Sequence, residues 1–353
     1  MPSPKLNPKL IITADDYGLN KYCNKGIRDG VEKGIISSVH VMMNLVDDNE
    51  MNLLIKAVRD AGNNCGIGLH LNTTWGKAMI QEPASFKYAT GSEIPEEKYG
   101  YNELKNYKHG KVARNKAEML KMRNELFAQY ISLKNYLGGA EKIDAISSHQ
   151  NFHFYDYQFV EILCEISREG DIPFRSLRRW EKEEYPDLET TKYSLGTNPL
   201  ERVATAIALA VVQIPSTHAL MEAAIKKSKL RKLTRNLFLQ GCEAIPNNNT
   251  GHWFGQPSPD AMKWFIEALQ EINQRTESGG YTSEIYMHLA SSIDGEDAGY
   301  DYKMLFRHAE YLTIMKEKFI ADFKVWKDNA KIEHGSYRKV LQGVEVDYGK
   351  VIA

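Results

Sequence analysis

The sequence predicts an α/β fold. The expected architecture is a distorted parallel (β/α) barrel, either fully closed or incomplete, with a helical insertion. Three observations favour this class. Short apolar segments of strand length alternate with segments of helical spacing, a pattern typical of parallel βαβ units. Acidic residues and histidines follow directly after several of these apolar segments. The length of 353 residues also suits a single barrel with insertions.

The chain up to residue 71 alternates strand and helix. Its first apolar run ends in Thr13-Ala14-Asp15-Asp16-Tyr17-Gly18, as expected for a strand buried on both faces that leads into a polar loop. Gly34 suits the C-terminal cap of the first helix. In chain order, the predicted elements are a strand at residues 10–12, a helix at 25–33, a strand at 37–43, a helix at 53–61 and a strand at 65–71.

The middle of the chain contains a long segment without a clear period. Residues 75–111 are rich in Gly, Pro, Lys, Glu and Tyr, which predicts a surface excursion after the third strand. Loops of that length are commonly functional. The predicted elements that follow are a helix at residues 116–137, a strand at 143–147, a helix at 159–168 and a strand at 170–175.

The C-terminal part is predicted to contain an insertion at about residues 178–254, with helical segments at 200–214 and 219–239. We interpret its basic run, residues 226–235, as a solvated helical face rather than a phosphate site. Ser258 and Pro259 suit the start of a helix at 260–273, and a late strand at 284–287 ends at His288. No repeat or linker divides the chain, so we predict one domain over residues 1–353.

Composition excludes several classes of partner. The formal net charge is −1, from 45 basic and 46 acidic residues, so no global field attracts nucleic acid. The longest apolar stretch, residues 203–214, is closed by Pro215 and is shorter than the ~20 residues needed to span a membrane. Residues 1–9 are polar and leave no room for a secretory signal, and the four cysteines form no paired motif. We therefore expect a cytoplasmic protein with ordinary buried thiols.

Four groups of polar residues follow four predicted strands. They are Asp15 with Asp16, His70, His149 with His153, and His288. Each alone is a weak signal, because a single histidine is more often structural than functional. In a parallel barrel, however, such positions gather on the rim at the carboxyl ends of the strands, where active sites lie. Their recurrence predicts a shared site.

One carboxylate and two imidazoles form a ligand set for a divalent metal such as zinc, with positions open for water and substrate. On an extended strand His149, Asn151 and His153 point the same way. Asp15 and Asp16 cannot easily face the same atom. If Asp16 binds the metal, Asp15 is free to accept a proton.

Four motifs resemble the YdjC-like carbohydrate deacetylases, a family that includes chitooligosaccharide deacetylases. The resemblance extends from residue 10 to about 315, although 178–254 matches poorly. The motifs are residues Thr13-Ala14-Asp15-Asp16-Tyr17-Gly18-Leu19, Gly66-Ile67-Gly68-Leu69-His70-Leu71-Asn72-Thr73, Ser148-His149-Gln150-Asn151-Phe152-His153, and Met287-His288 followed by Asp294 and Arg307.

This resemblance implies a hydrolase that removes N-acetyl groups from an amino-sugar-containing oligosaccharide, with one divalent metal ion, zinc or magnesium. It assigns Asp16, His70 and His149 as metal ligands. It also implies that Asp15 is the general base and His288 the general acid, and that the protein forms a homodimer.

Two residues depart from the family pattern and affect the metal site. The family usually has Asp where Ser147 stands and His where Asn151 stands, which concerns the tuning of His149.

Residues predicted to bind the sugar include aromatic side chains, which offer flat apolar faces. Trp75 is the leading one because it follows a metal-ligand strand, although a packing role is equally compatible with its position. Trp180, Trp253 and Phe254 are the other aromatic candidates, and the polar candidates are Asn151, His153, Asp294 and Arg307.

Three alternatives stay open. A glycoside hydrolase needs two carboxyl groups about 5–9.5 Å apart, which the adjacent Asp15 and Asp16 do not provide by themselves. A catalytically silent carbohydrate- or metal-binding protein is favoured by Ser147 and Asn151. A structural barrel with scattered surface histidines predicts no stoichiometric metal.

Overall fold

The computed structural model describes residues 9–73, 76, 78–80, 116–149, 157–175, 248–249, 282–293, 301–329 and 331–348. The strands within these ranges are β1 (Lys9–Tyr17), β2 (Ser38–Val41), β3 (Gly66–Leu71), β4 (Ile143–Ser148), β5 (Asn248–Asn249), β6 (Thr282–Met287) and β7 (Glu333–His334). The helices are α1 (Lys21–Glu32), α2 (Asp48–Asp60), α3 (Lys116–Leu137), α4 (Tyr157–Gly170), α5 (Asp301–Ile314) and α6 (Glu317–Asn329).

All of these strands belong to one parallel sheet with the order β4-β3-β2-β1-β6-β5. The short strand β7 pairs with Lys9 and Leu10 of β1, on the edge opposite to β6. Helices separate β1 from β2 and β2 from β3, as in consecutive βαβ units. The prediction of a parallel α/β fold is therefore confirmed.

The two faces of the sheet differ in character, because successive side chains of a strand point to opposite sides. One face of β1 joins the main hydrophobic core that the helices cover, whereas the other face collects polar groups from several strands. The core-facing residues are Leu10, Ile12 and Ala14, and the residues between them are Ile11, Thr13 and Asp15. The alternation places Asp15 on the polar face.

The sheet is strongly curled. Phe174 extends the sheet beyond β4 through a bridge to Ile146, and Arg175 follows it. In a flat sheet Arg175 would lie about 19 Å from β1, four strand spacings away. Instead its guanidinium contacts Asp15 on β1 at 2.6 Å and Glu284 on β6 at 2.9 Å. The polar face is thus the concave face, as in a barrel.

Several elements begin or end elsewhere than the sequence predicts. β1 continues through Tyr17, so the prediction of a loop from Thr13 was wrong. Helices α1 and α2 begin several residues earlier than predicted, because Asn20 and Asp47 accept hydrogen bonds from the free backbone N–H groups of the first turns. Within the predicted strand 170–175, Gly170 ends α4, and the residue that pairs is Phe174.

Some predictions fall outside the described residues. These are most of the excursion at 75–111, the insertion at 178–254 apart from β5, its basic run 226–235, and the helix at 260–273. The single-domain organisation stays a prediction. Cys23, Cys65 and Cys164 are buried thiols, as expected. Among the described helices, none combines the length and the apolar character needed to cross a membrane.

Candidate active site

The end of β1 contains an irregularity that directs two consecutive aspartates into the polar cluster. The register between β1 and β2 shifts between Ala14 and Tyr17, and Asp16 has a φ of +69°. This left-handed backbone is uncommon outside glycine, but Asp is among the residues that tolerate it best. Asp15 keeps the concave orientation of the strand, while Asp16 is turned toward the neighbouring histidines.

Asp16, His70 and His149 lie together at the carboxyl ends of their strands. Asp16 Oδ1 is 3.0 Å from His70 Nε2 and 2.7 Å from His149 Nδ1. The ligand atoms of all three residues lie within 4.8 Å of one another, and the three side chains are buried. One carboxylate oxygen and two imidazole nitrogens at this spacing are suitable ligands for one divalent ion such as zinc.

The charge of Asp16 also suits a metal ligand. Burial alone raises the pKa of Asp16, but His149 and Arg307 outweigh it and hold the pKa well below its usual value. Arg307 Nη2 donates to Asp16 Oδ2 at 2.6 Å, which leaves Oδ1 on the side of the two histidines. The carboxylate is therefore ionised, as metal binding requires.

Asp15 is held by a buried arginine. Arg175 donates from Nη1 to Asp15 Oδ2 at 2.6 Å and from Nη2 to Asp15 Oδ1 at 3.0 Å. Burial raises the pKa of Asp15, but Arg175 and His70 outweigh it, so that the pKa lies well below the usual value. Arg175 also donates to Glu284, which accepts a hydrogen bond from Thr13. Asp15 is thus ionised and fixed in position.

A second group of potential ligands, Asp15, His40 and His70, shares His70 with the first. Both carboxylate oxygens of Asp15 already accept hydrogen bonds from Arg175. In Asp16, by contrast, Arg307 bonds only Oδ2, and Oδ1 faces His70 and His149. We therefore assign the candidate metal centre to Asp16, His70 and His149.

Ser147 contacts different histidines than the sequence suggested. Its departure from the family pattern was expected to concern His149, but Ser147 Oγ lies 2.6 Å from His70 Nδ1 and 2.6 Å from His40 Nδ1. His149, which directly follows β4, contacts Asp16 Oδ1 with its Nδ1 at 2.7 Å.

His288 lies beside the candidate metal centre, directly after β6. Its Nε2 is 4.0 Å from Asp16 Oδ2, and its backbone N–H donates to Glu310 Oε2 at 2.6 Å. Burial and the nearby Arg307 lower the pKa of His288 to about 4, although Asp16 opposes this. The ring is therefore uncharged at neutral pH in this environment.

Arg307, a predicted substrate-binding residue, extends from α5 to Asp16. Its Nη1 atom is buried and has no hydrogen-bond partner among the described residues. The other predicted substrate-binding residues lie outside the described residues. They are Trp75, Asn151, His153, Asp294, Trp180, Trp253 and Phe254.

Sequence reasoning missed four residues of this cluster, His40, Arg175, Glu284 and Glu310. Arg175 ends a predicted strand, so the criterion that selected His70 applies to it. His40 lies in the middle of the predicted strand 37–43 and near the end only of the observed β2. Glu284 begins a predicted strand and Glu310 lies on a helix that was not predicted. No pattern in the sequence distinguishes these two glutamates from others.

The family model for YdjC-like proteins matches residues 9–325, which include all of these site residues. The chain belongs to the YdjC-like family. The resemblance stated from the motifs is therefore confirmed.

Two proteins that are similar to this YdjC-like chain have names that state an activity. A carbohydrate deacetylase from Clostridium beijerinckii is 26% identical over 52% of this chain and 66% of its own length. A chitooligosaccharide deacetylase from Yersinia pestis is 27% identical over 47% of this chain and 58% of its own length. The chain thus spans less than two thirds of the length of these curated relatives.

A crystal structure from Enterococcus faecalis V583, named for cellobiose-phosphate cleavage, supports the fold of this YdjC-like chain. The TM-score is 0.58 at 17% identity, and the match covers 95% of this chain and 99% of the other. At this level of identity the likeness concerns the fold alone.

Proposed function

We propose that this YdjC-like protein is a metal-dependent deacetylase that removes N-acetyl groups from an amino-sugar-containing oligosaccharide. The observation that carries the proposal is the buried group of Asp16, His70 and His149 beside the ionised Asp15. The names of the two similar proteins, a carbohydrate deacetylase and a chitooligosaccharide deacetylase, support the reaction and the substrate class.

Asp16, His70 and His149 would hold one divalent ion, zinc or magnesium. When bound, such an ion polarises a carbonyl oxygen and lowers the pKa of a water molecule toward ~7. The protein holds these ligands in position. Arg307 hydrogen-bonds Asp16, and Ser147 hydrogen-bonds His70.

Asp15 is proposed to accept the proton from the attacking water. It meets the first requirement of a base, since its low pKa keeps it ionised at neutral pH. The two hydrogen bonds from Arg175 fix its orientation and also make it a weak base. Because Asp15 is a weak base, it readily gives up the proton that it takes from the water.

His288 is proposed to protonate the departing amine. With a pKa of about 4, its ring must first take up a proton, and the carboxylate of Asp16 stabilises the charged ring. The backbone bond to Glu310 holds His288 at the end of β6. The buried Nη1 of Arg307 is available to donate to a substrate oxygen.

The test measures metal content and the release of acetate from N-acetylated oligosaccharides. We expect Asp16→Ala to lose both metal and activity. Asp15→Asn should keep the metal and lose roughly 10²-fold or more in rate, because the proton acceptor is gone. Asp60→Asn, on the exposed end of α2, is the matched control and should change neither.

Full activity in Asp16→Ala would end the metal-ligand assignment, and unchanged turnover in Asp15→Asn would remove its role as base. Product analysis on the same substrates addresses the main alternative, since a shortened glycan without acetate would identify a glycoside hydrolase. Glycan binding with metal present but no acetate release across a broad substrate panel would identify a silent binding protein.

A homodimer is also part of the proposal. Equilibrium sedimentation of the metal-loaded protein tests it, and a monomer at all concentrations would contradict it.

A further inference from the structure

Ser147 lies between two histidines, one of which is a proposed metal ligand. Its Oγ is 2.6 Å from His70 Nδ1 on β3 and 2.6 Å from His40 Nδ1 on β2. All three side chains are buried. A serine hydroxyl has one hydrogen to donate, so it can donate to one of these ring nitrogens and must accept from the other.

The direction of these hydrogen bonds decides whether His70 can bind a cation. A metal-binding Nε2 must present its lone pair, so the hydrogen of neutral His70 then lies on Nδ1 and Ser147 accepts it. Ser147 in turn donates to His40 Nδ1. In the opposite direction the hydrogen of His70 moves to Nε2, where Asp16 Oδ1 lies 3.0 Å away, and His70 no longer offers a ligand atom there.

His40 is held so that it can accept this hydrogen bond. Its Nε2 is 3.4 Å from Ser38 Oγ, and Ser38 donates to Asp144 at 2.7 Å. Gly68 leaves space for the ring, since a Cβ at that position would lie 2.5 Å from His40 Cδ2. Asp15 Oδ1 also lies 3.1 Å from His40 Nδ1, beside the hydrogen bond that it accepts from Arg175 at 3.0 Å. A carboxylate oxygen can accept two hydrogen bonds, so the competing arrangement has the hydrogen of His40 on Nδ1; it leaves His40 Nε2 without a hydrogen for Ser38, whose own hydrogen goes to Asp144.

We propose that His40 and Ser147 are positioning residues that hold the imidazole of His70 in the orientation and with the hydrogen placement that a divalent cation requires. The inference rests on the proposed metal centre. If His40 is removed, His70 Nδ1 is the remaining described acceptor for the hydrogen of Ser147. That arrangement places the hydrogen of His70 on Nε2 and opposes metal binding.

The experiment measures the zinc affinity of the full chain by competition with a chelating dye. We expect Ser147→Ala and His40→Leu each to weaken zinc binding by roughly 10- to 100-fold, the range found when a hydrogen-bond partner of a metal-binding histidine is removed. Ser147→Thr keeps the hydroxyl and should retain most of the affinity. Unfolding of each variant is followed by circular dichroism.

Ser167→Ala is the matched control. Ser167 is also buried and donates one short hydrogen bond, to the carbonyl of Ile172 at 2.6 Å, but it lies on α4 away from the metal centre. It should lose stability without losing zinc affinity. A weakened affinity in the Ser147 and His40 variants alone therefore reports positioning rather than general destabilisation.

Zinc affinity within 2-fold of the wild type in folded Ser147→Ala or His40→Leu would overturn the proposal. An equal loss of affinity in Ser167→Ala would also overturn it. If wild-type protein binds zinc through Asp16 but releases no acetate, the proposed function fails while the inference stands. If acetate is released and the folded variants keep their affinity, the inference alone fails. A wild type that binds neither zinc nor magnesium contradicts both, and where it binds magnesium alone the same variants are compared for magnesium affinity.

Discussion

At the scale of single residues, the site separates two adjacent carboxylates by giving each its own arginine. Asp15 is paired with Arg175 and Asp16 with Arg307, both at 2.6 Å. Two neighbouring buried carboxylates would otherwise repel each other, and one would take up a proton. The two guanidinium groups keep both ionised, so that Asp16 can bind a cation while Asp15 stays available for a proton.

Replacing Arg175 tests this arrangement. We expect Arg175→Met to lower the free energy of unfolding by about 3–5 kcal/mol, because it leaves the carboxylates of Asp15 and Glu284 buried without their cation. Urea denaturation measures the change. Arg123→Met is the control, since the pair between Arg123 and Glu165 is exposed and should contribute about 1 kcal/mol or less. Equal effects of the two substitutions would contradict the prediction.

At the scale of elements, β3 shows how a strand makes room for its neighbours. Gly66, Gly68 and His70 alternate along one face of the strand, and Ile67, Leu69 and Leu71 on the other face join the hydrophobic core. The first two positions have no side chain, and the space is filled by Asp144 from β4 and His40 from β2. The sequence Gly-Ile-Gly-Leu-His-Leu therefore serves both the core and the polar face.

The short strand β7 contains a histidine that should make stability depend on pH. His334 Nε2 is buried without a hydrogen-bond partner among the described residues, and the ring packs edge-on against Phe323 of α6. Burial and the charge of Lys327 lower the pKa of His334 to about 3. Between this value and the ~6.5 of the unfolded chain, the unfolded state binds a proton that the folded state does not.

Stability should therefore fall as the pH decreases from ~6.5 toward 3, by up to about 1.4 kcal/mol per pH unit from this residue. The measurement is the free energy of unfolding at several pH values for wild type and His334→Gln. We expect a shallower slope in the variant below pH ~6. Identical slopes would show that the folded state accepts a proton at His334 as readily as the unfolded chain.

At the scale of the whole molecule, curling of the parallel sheet brings together residues that are far apart in the chain. Asp16 from β1 is in contact with His149 after β4 and with Arg307 from α5. A cation at this point would join β1, β3 and the end of β4. It would bind the folded chain and not the separated segments of the unfolded one, so it should stabilise the fold.

Zinc should therefore raise the unfolding temperature. Free zinc at about 100 times its dissociation constant stabilises the folded state by about 2.7 kcal/mol, which corresponds to roughly 4 °C for a chain of this size. A chelator should reverse the shift. Asp16→Ala should show no shift, whereas Asp60→Asn should behave like the wild type. A wild-type shift that persists in Asp16→Ala would place the stabilising ion elsewhere.

The sequence could predict the strands that carry Asp16, His70, His149 and His288, because apolar runs and the polar residues after them are local patterns. It could not predict the bulge at Asp16, which depends on the register with β2. Arg175 and Glu310 were also missed, since their partners are Asp15 and the backbone of His288, more than 20 residues away in each case.

The sequence alone determined the alternation of strand and helix, the parallel class of the sheet and the identity of the histidines and aspartates at the strand ends. These properties depend on the hydrophobic period and on residue type, both of which can be read from residues close together in the chain. The tertiary structure decided which carboxylate faces the histidines, which arginine holds the other, and that Ser147 joins His70 to His40. Such pairings depend on the curvature and register of the folded sheet, to which residues distant in the chain contribute together.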